Sequence, residues 1–461
     1  MTIAKNRDII EDIGDFLEDK LPIKLGVNKK NELTRLIYEI SCARNCSFLE
    51  VVRLSDIEKL ISDGKSGLFH GVKKRLLEIR YPSFDASQKL QIKPVKIGFH
   101  EQGAGAWDSN LYPKNIFVEK NTKDLEWTRS FVNKFPQSKI IYIDNAAKSA
   151  SFLRAKDPVE VYNLRRDNIF LVQAKTAFVK ICPCTKNCIR CGYQILNIGF
   201  GCPIDCAYCY LQTYSNAPGM VLAANTEDYF DSIKQLDEKV GNPTRIGTGE
   251  FTDSLALDKY TEYSKKLIPF FRGMKNLILE FKTKVVDIDN VLNEEPHENI
   301  VISWSINTPD IATRYENGAP DVKARINAAN LAAKKGYKVG FHFDPMVYYS
   351  EWENDYRNIV KELFSHAAIR QNTVWISLGT LRYTPGLKQI AERRFEDMLM
   401  FYNGEFFSDL DGKLRYPRVL RIEMYNKMVD WIRAFNASCW VYLCMEPKDV
   451  WEDTKLKRQR Y

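Results

Sequence analysis

Gly199-Phe200-Gly201-Cys202-Pro203-Ile204-Asp205-Cys206-Ala207-Tyr208-Cys209-Tyr210-Leu211-Gln212 is the stretch on which the reading of this chain turns. Its three cysteines are spaced C-x3-C-x2-C. Iron–sulfur clusters are held by cysteine thiolates in short runs, ordinarily four of them. A run that stops at Cys202, Cys206 and Cys209 holds three irons of a four-iron (4Fe-4S) cluster and leaves the fourth iron open to another ligand. Two plainer readings compete. Reduced cysteine packs as a small hydrophobe, and zinc also takes thiolates. Zinc usually wants four ligands, and neither a His nor a fourth Cys follows promptly after Cys209.

Outward from this loop, strand-like and helical runs alternate. Strands are expected near 194–198, 245–249, 277–282, 300–306, 338–343, 374–378 and 439–443, with helices near 226–239, 255–272, 321–335, 352–365, 386–400 and 418–435. Such βα alternation argues for a parallel sheet with crossover helices. The expected fold is α/β: an incomplete (β/α)6-type TIM barrel over residues 181–461. Barrels of this kind carry their chemistry at the C-terminal ends of the strands, and the cysteine loop follows the first strand. Residues 1–112 show apolar positions at helical spacing and are expected to form a largely helical extension. Cys42 and Cys46 fall there, expected one helical turn apart and packed in a core. Residues 113–180 are expected to be a small α/β lead-in, with strands at 116–118 and 140–143 around a helix near 124–134.

The whole-chain numbers narrow the class. Of 461 residues, 45% are hydrophobic and 27% charged, an ordinary globular composition. No run of 18 apolar residues appears, so no transmembrane helix and no membrane partner are expected. The start lacks an apolar h-region, so a cytoplasmic protein is expected, in keeping with thiolates kept reduced for metal. A net charge of +8 is mild for the length. It is compatible with a nucleic-acid partner without requiring one.

An aromatic directly before the third cysteine, here Tyr208, is a further mark of radical-AdoMet loops. With Cys209-Tyr210-Leu211-Gln212, it makes the chain resemble the spore photoproduct lyase family. The resemblance runs over roughly 113–461. Phe281-Lys282-Thr283-Lys284, Ser305-Ile306-Asn307, Arg325-Ile326-Asn327-Ala328-Ala329 and Gly336-Tyr337-Lys338-Val339-Gly340-Phe341 fall in the family's order. It implies a barrel of the radical-AdoMet kind, a 4Fe-4S cluster on Cys202, Cys206 and Cys209, and S-adenosyl-L-methionine (AdoMet) on the open iron. One electron would split the sulfonium and release a 5′-deoxyadenosyl radical. Gly247, Gly249 and Glu250 would hold the methionyl amine, Lys284 its carboxylate, and Ser305 and Asn307 the carboxylate and ribose. Tyr208 would lie beside the adenine or the cluster, and Gly340 would let backbone approach the adenine. The implied partners are DNA or another nucleic acid as substrate and a flavodoxin- or ferredoxin-type electron donor. Thymine-dimer-type repair is one candidate reaction. Radical modification of RNA, a nucleotide or a peptide is another. A catalytically silent iron–sulfur or zinc-bearing nucleic-acid-binding protein is the alternative from outside enzymology.

The chain departs from its relatives in three places. The family's hydrogen-donating cysteine follows the second strand. Here that stretch is Gly249-Glu250-Phe251-Thr252-Asp253-Ser254, and no cysteine occurs between Cys209 and Cys439. Turnover of spore photoproduct as in the relatives is therefore not expected. Tyr210, which matches a family relay tyrosine, is the nearest local substitute, and Cys439 or Cys444 are the others. Upstream, Cys182, Cys184, Cys188 and Cys191 form C-x-C-x3-C-x2-C, a set suited to a second iron–sulfur cluster or a structural zinc, the spacing deciding neither. Finally, His342 and Asp344 alternate on one strand face and are expected to line the cavity or pair with one another.

Overall fold

The run Leu277-Ile278-Leu279-Glu280-Phe281-Lys282-Thr283-Lys284 alternates apolar and polar after its first residues. Alternate residues of a strand point to opposite faces, so one face is apolar and the other polar. A computed structural model of the chain places this run in an eight-stranded sheet. It describes residues 3–456 except 22–24, 63–67, 81–109, 152–156, 176–177 and the single positions 186, 216, 396 and 410. The sheet's strands in chain order are β1 (Val179–Ile181), β2 (Gln194–Leu196), β3 (Thr244–Gly247), β4 (Leu277–Thr283), β5 (Ile300–Ser305), β6 (Lys338–Met346), β7 (Thr373–Thr380) and β8 (Trp440–Leu443). They neighbour one another in simple sequence order. All pairings are parallel except β1 with β2. An isolated bridge, Cys188 with Pro447, joins the segment after β1 to the segment after β8. Leu279, Phe281, Ile302, Trp304, Val339 and Phe341 are fully buried. The opposite face carries Glu280, Lys282, Ser303, Gly340 and His342, the polar lining of the curled sheet.

Crossover helices return the chain between parallel strands. Helix Val322–Lys335 shows how its bounds are set: the Asp321 side chain accepts from the Ala324 amide at 2.7 Å, and Gly336 ends the helix with φ 110. Ala328, Ala329, Ala332 and Ala333 make the buried stripe against the sheet.

A second, five-stranded sheet contains the lead-in strands Asn115–Glu119, Lys139–Ile143 and Asn168–Val172. Its remaining strands, Met220–Ala223 and Gly199–Phe200, come from either side of the cysteine loop. The expected boundary at 180 is therefore not a division between the sheets: the chain leaves β2, enters the second sheet, makes the loop and returns. This tethers both ends of the loop.

The chain forms two compact units. One holds both sheets. The other gathers the N-terminal helices with Val347–Ser350 and Arg382–Pro417, a stretch the periodicity assigned to the barrel. Helices Val27–Arg44, Phe48–Leu54, Ile57–Ser62 and Leu68–Arg80 belong to it. Cys42 lies on the helix, but Asn45 takes a left-handed conformation (φ 49) and ends it, so Cys46 is outside the helix rather than a turn along it. Residues 81–109 of the expected extension lie outside the described residues. Among the described residues, no helix is long and apolar enough to cross a membrane.

Candidate active site

The cysteine loop is positioned by its own backbone rather than by its thiols. The Gln212 amide, buried beneath the loop, donates to the carbonyls of Ala207 at 2.9 Å and of Cys206 and Cys209 at 3.3 Å. Arg165 donates to the Cys202 carbonyl at 3.2 Å and pairs with Asp205 at 2.8 Å. Cys206 pairs as a short strand with Glu316, and the Ala207 amide donates to the Tyr315 carbonyl at 2.7 Å. The Gly201 amide donates to the Phe251 carbonyl at 2.9 Å. None of the chain's cysteines is in a disulfide. Burial first, then neighbouring charges that include the other loop thiols, pushes Cys202 well up. Burial likewise raises Cys209, and Cys206 is pushed up to about 12. Thiols raised in this way ionise only beside a compensating cation.

Beside the loop lies a charged group that sequence reasoning did not assemble. The Tyr208 hydroxyl donates to Glu316, and Glu316 pairs with Arg325 at 2.5 Å. Arg325 also donates to the carbonyls of Pro320 at 2.8 Å and Ser305 at 3.2 Å. Burial alone would raise the Glu316 carboxyl; Arg325 and Lys284 outweigh it and hold it below its ordinary range. Lys284 follows β4, with its ammonium 5.8 Å above the Tyr208 ring. Burial opposes its charge, but Cys206 and Glu316 outweigh that and raise its proton affinity. Among the described residues the ammonium has no hydrogen-bond or ion-pair partner, so its charge is available to a ligand. The Ser305 hydroxyl is likewise without a partner among the described residues.

The other expected residues are placed as follows. Asn307 is buried and occupied: its amide donates to the Pro345 carbonyl at 2.9 Å and accepts from Tyr356 at 2.7 Å. Glu250 is half-buried, 3.8 Å from the Lys282 ammonium. Asp253 organises this loop, accepting from Thr283 at 2.6 Å and from the Lys284 amide at 2.8 Å. Tyr210 is half-buried, its ring stacked on Tyr214 at 6.1 Å. Cys439 is buried, which pushes it up to about 12.

His342 does not pair with Asp344. Its Nε2 meets Glu280 at 2.8 Å, and Glu280 also accepts from Ser303 at 2.5 Å and Trp375 at 2.9 Å. Burial works against the Glu280 carboxylate, but the bonds from His342 and Ser303 and the nearby Arg245 hold it well below the usual range. Burial pushes His342 below its own, against the pull of the Glu280 carboxylate beside it. A single acid inside an apolar strand run was the available signal for Glu280. Arg245 lies within 5.5 Å of the ring centres of Tyr193, Trp375, Trp440 and Tyr442, and donates to Cys191 Sγ at 3.4 Å.

Two of the expected glycines serve this interior. A Cβ on Gly340 would lie 2.5 Å from both Ser303 Oγ and Trp375 Nε1, and one on Gly247 would meet the Tyr193 hydroxyl and lie 2.5 Å from the Glu280 carbonyl. The bare Gly340 position thus admits the partners of Glu280. On Gly249 a Cβ would lie 2.8 Å from that of Lys282. Gly247→Ala and Gly340→Ala are expected to cost about 1–3 kcal/mol each by overpacking. Urea denaturation checks this; unchanged midpoints would contradict it.

Upstream, Cys182 and Cys184 are close, Sγ to Sγ 3.6 Å. Cys188 lies in the bridge to Pro447 and Cys191 beneath Arg245. Among the described residues, no three His, Cys, Asp or Glu side chains are gathered to hold a single metal ion.

A family model described as spore photoproduct lyase matches residues 111–405. Spore photoproduct lyase of Clostridium acetobutylicum is 25% identical over 255 residues, covering 55% of this chain and 74% of that protein. The Bacillus subtilis protein of the same name is 30% identical over 201 residues, covering 42% of this chain and 58% of its own. Among solved structures, spore photoproduct lyase complexed with dinucleoside spore photoproduct superimposes with TM-score 0.62 at 21% identity, over 72% of this chain and 99% of that one. A variant with bound AdoMet and the same dinucleoside gives TM-score 0.63 at 21% identity, with the same coverage. At this identity the structural likeness establishes the fold.

Proposed function

Because the chain belongs to the spore photoproduct lyase family of radical-AdoMet enzymes, we propose that it cleaves AdoMet at Cys202, Cys206 and Cys209 and abstracts hydrogen from a thymine-dimer-type lesion in DNA. The observation that carries the reading is the three-cysteine loop, with Cys206 buried, beside the Lys284 ammonium that stands 5.8 Å over the loop residue Tyr208. Three soft donors with no fourth thiol beside them suit a 4Fe-4S cluster with one open iron. When bound, the cluster and AdoMet supply a 5′-deoxyadenosyl radical by one-electron cleavage of the sulfonium.

The chain's own residues hold and orient. Lys284 takes the methionyl carboxylate in a charge-assisted hydrogen bond, with the Ser305 hydroxyl beside it. Carbonyls of the Gly247–Gly249 segment, with Glu250, face the methionyl ammonium. Tyr208, fixed by Glu316, covers the loop. Asn307, its amide engaged by Pro345 and Tyr356, steadies the strand end and reaches the ribose with its second N–H. The electron comes from a flavodoxin- or ferredoxin-type donor, and the protein works in the cytoplasm. Cys182, Cys184, Cys188 and Cys191 are proposed as ligands of a second iron–sulfur cluster or a structural zinc, and the metal content of reconstituted protein separates the readings: about eight irons for a second cluster, about four irons with one zinc for a structural zinc, and about four irons without zinc if these cysteines carry no metal.

The test uses lesion-bearing DNA deuterated at the carbon that loses hydrogen. Deuterium is expected in 5′-deoxyadenosine. Unlabelled 5′-deoxyadenosine with an intact lesion would remove this substrate. Lys284→Met should weaken AdoMet binding about ten- to a hundredfold, the worth of a charge-assisted hydrogen bond. Equilibrium dialysis measures it, and unchanged affinity would take Lys284 out of the site.

A further inference from the structure

Ser305 is the last residue of β5, and Arg325 comes 20 residues later. Between them the chain makes an excursion whose middle is the dock for the cysteine loop. Glu316 and Asn317 pair as a short antiparallel strand with Cys206 and Asp205, and the Tyr315 carbonyl accepts from the Ala207 amide at 2.7 Å. The Glu316 carboxylate adds a side-chain tie, accepting from the Tyr208 hydroxyl. Arg325 then closes the excursion on its own starting point. It donates to the Ser305 carbonyl at 3.2 Å and the Pro320 carbonyl at 2.8 Å, and meets Glu316 at 2.5 Å. One guanidinium thus joins the strand end that carries Ser305 to the residue on which the loop rests.

Stability alone does not account for this group. Arg325 is 0% exposed and Glu316 3%. The attraction within such a buried pair does little more than offset its desolvation, and apolar residues of like volume often do better. The rest of the buried face of helix Val322–Lys335 is Val322, Ile326 and four alanines, so an apolar side chain would continue it. What a guanidinium offers instead is a planar fork of five donors, able to serve several acceptors in fixed directions. Its acceptors here belong to two segments that a shared ligand would need in register. One is the cysteine loop, reached through Glu316, with the Lys284 ammonium 5.8 Å over its Tyr208 ring. The other is the end of β5, where the Ser305 hydroxyl has no partner among the described residues.

We propose that Arg325, acting through Glu316 and Ser305, is a positioning residue for AdoMet that sets the register between the cysteine loop and the end of β5; the inference rests on the AdoMet-binding reading above. Arg325 touches neither the cysteines nor the ligand. It fixes the Ser305 carbonyl, and with it the backbone from which the Ser305 hydroxyl reaches the methionyl carboxylate. Through Glu316 it fixes Tyr208 and the backbone of Cys206. Cysteine ligation does not need this tie, because Gln212 and Arg165 hold the loop carbonyls independently. Loss of the fork therefore leaves the cluster ligands in place and loosens the AdoMet site beside them.

The test is a double-mutant cycle on AdoMet affinity, measured by equilibrium dialysis of the reconstituted protein. Arg325→Lys keeps a cation for Glu316 but loses the fork. It should hold as much iron as wild type and bind AdoMet about tenfold more weakly. Ser305→Ala alone should cost about fivefold, the worth of one hydrogen bond. Because Arg325 acts through Ser305, the double variant should be no worse than Arg325→Lys. A combined loss of about fiftyfold means independent effects and overturns the assignment, as does unchanged affinity in Arg325→Lys. Glu39→Ala breaks a buried ion network in the other unit and should bind AdoMet as wild type does; a loss of about tenfold there would make the Arg325 effect one of stability and overturn the assignment too. Glu316→Gln enters from the loop side and serves where Arg325→Lys does not fold: about threefold weaker binding alone, and with Ser305→Ala less than the product of the two losses. No AdoMet binding by wild type overturns the AdoMet reading and this inference together. A second readout needs neither cluster nor AdoMet. In the cluster-free full-length protein, amide exchange of the peptide carrying Ala207 should quicken about tenfold in Arg325→Lys, and an unchanged rate contradicts the tie to the loop.

Discussion

Cys206→Ala will leave a folded protein that binds no radical-AdoMet cluster and makes no 5′-deoxyadenosine. The loop does not depend on this thiol for its shape. Its carbonyls are held by Gln212 and Arg165, and its backbone pairs with Glu316. Removing one sulfur takes away a ligand and little packing. Two thiols then remain for a cluster that needs three from the protein. The same outcome is expected for Cys202→Ala and Cys209→Ala. Absorbance of the anaerobically reconstituted protein and chromatography of the AdoMet reaction check it. A variant that retains the full iron content and makes 5′-deoxyadenosine would defeat the assignment.

Glu39→Ala will be among the most destabilising single changes. Glu39 lies in the unit of N-terminal helices and is 3% exposed. Around it are Arg35 at 2.9 Å, Lys388 at 3.2 Å and Arg80 at 3.7 Å. Removing one partner of a buried pair strands the others and costs about 3–5 kcal/mol. Here three cations lose their common anion. Burial would raise the Glu39 carboxyl, but Lys388, Arg35 and Arg80 outweigh it and lower it from 4.5 to about 2. A depressed carboxyl contributes stability that is present above its unfolded value and lost as pH falls through its folded value. The Glu39 contribution is therefore intact above about pH 4.5 and fades towards pH 2. Glu39→Gln should flatten stability in that window relative to wild type. Denaturant titration at neutral and acid pH measures both, and a Glu39→Ala loss under about 1 kcal/mol would contradict the account.

The barrel strands were legible because burial writes itself into local pattern. In β4 to β6 the apolar residues alternate with Glu280, Lys282, Ser303 and His342, so one face had to be a lining. Strand Met220–Ala223 was missed: four residues after a turn carry too little period to separate strand from loop. The grouping of Arg382–Pro417 with the N-terminal helices was also invisible, because it rests on Lys388 meeting Glu39 across the sequence. No spacing rule predicts such a pair. The cysteine loop was the legible part of the candidate site, its three cysteines being close in sequence. Glu316, which braces Tyr208 and Arg325, was not: its only local mark is an acid before Asn317-Gly318. His342 was correctly placed on the lining, but its partner came from β4, two strands away, rather than from its own strand.

The claim at the centre of this account is that Cys202, Cys206 and Cys209 present a cluster to AdoMet. Electron paramagnetic resonance of the anaerobically reconstituted, dithionite-reduced protein tests it most directly, read before and after AdoMet addition. The account predicts a reduced-cluster signal whose g-values shift when AdoMet binds, with the shift in Lys284→Met needing about ten- to a hundredfold more AdoMet than in wild type. A signal indifferent to AdoMet in wild type, or one that survives Cys206→Ala, would contradict it.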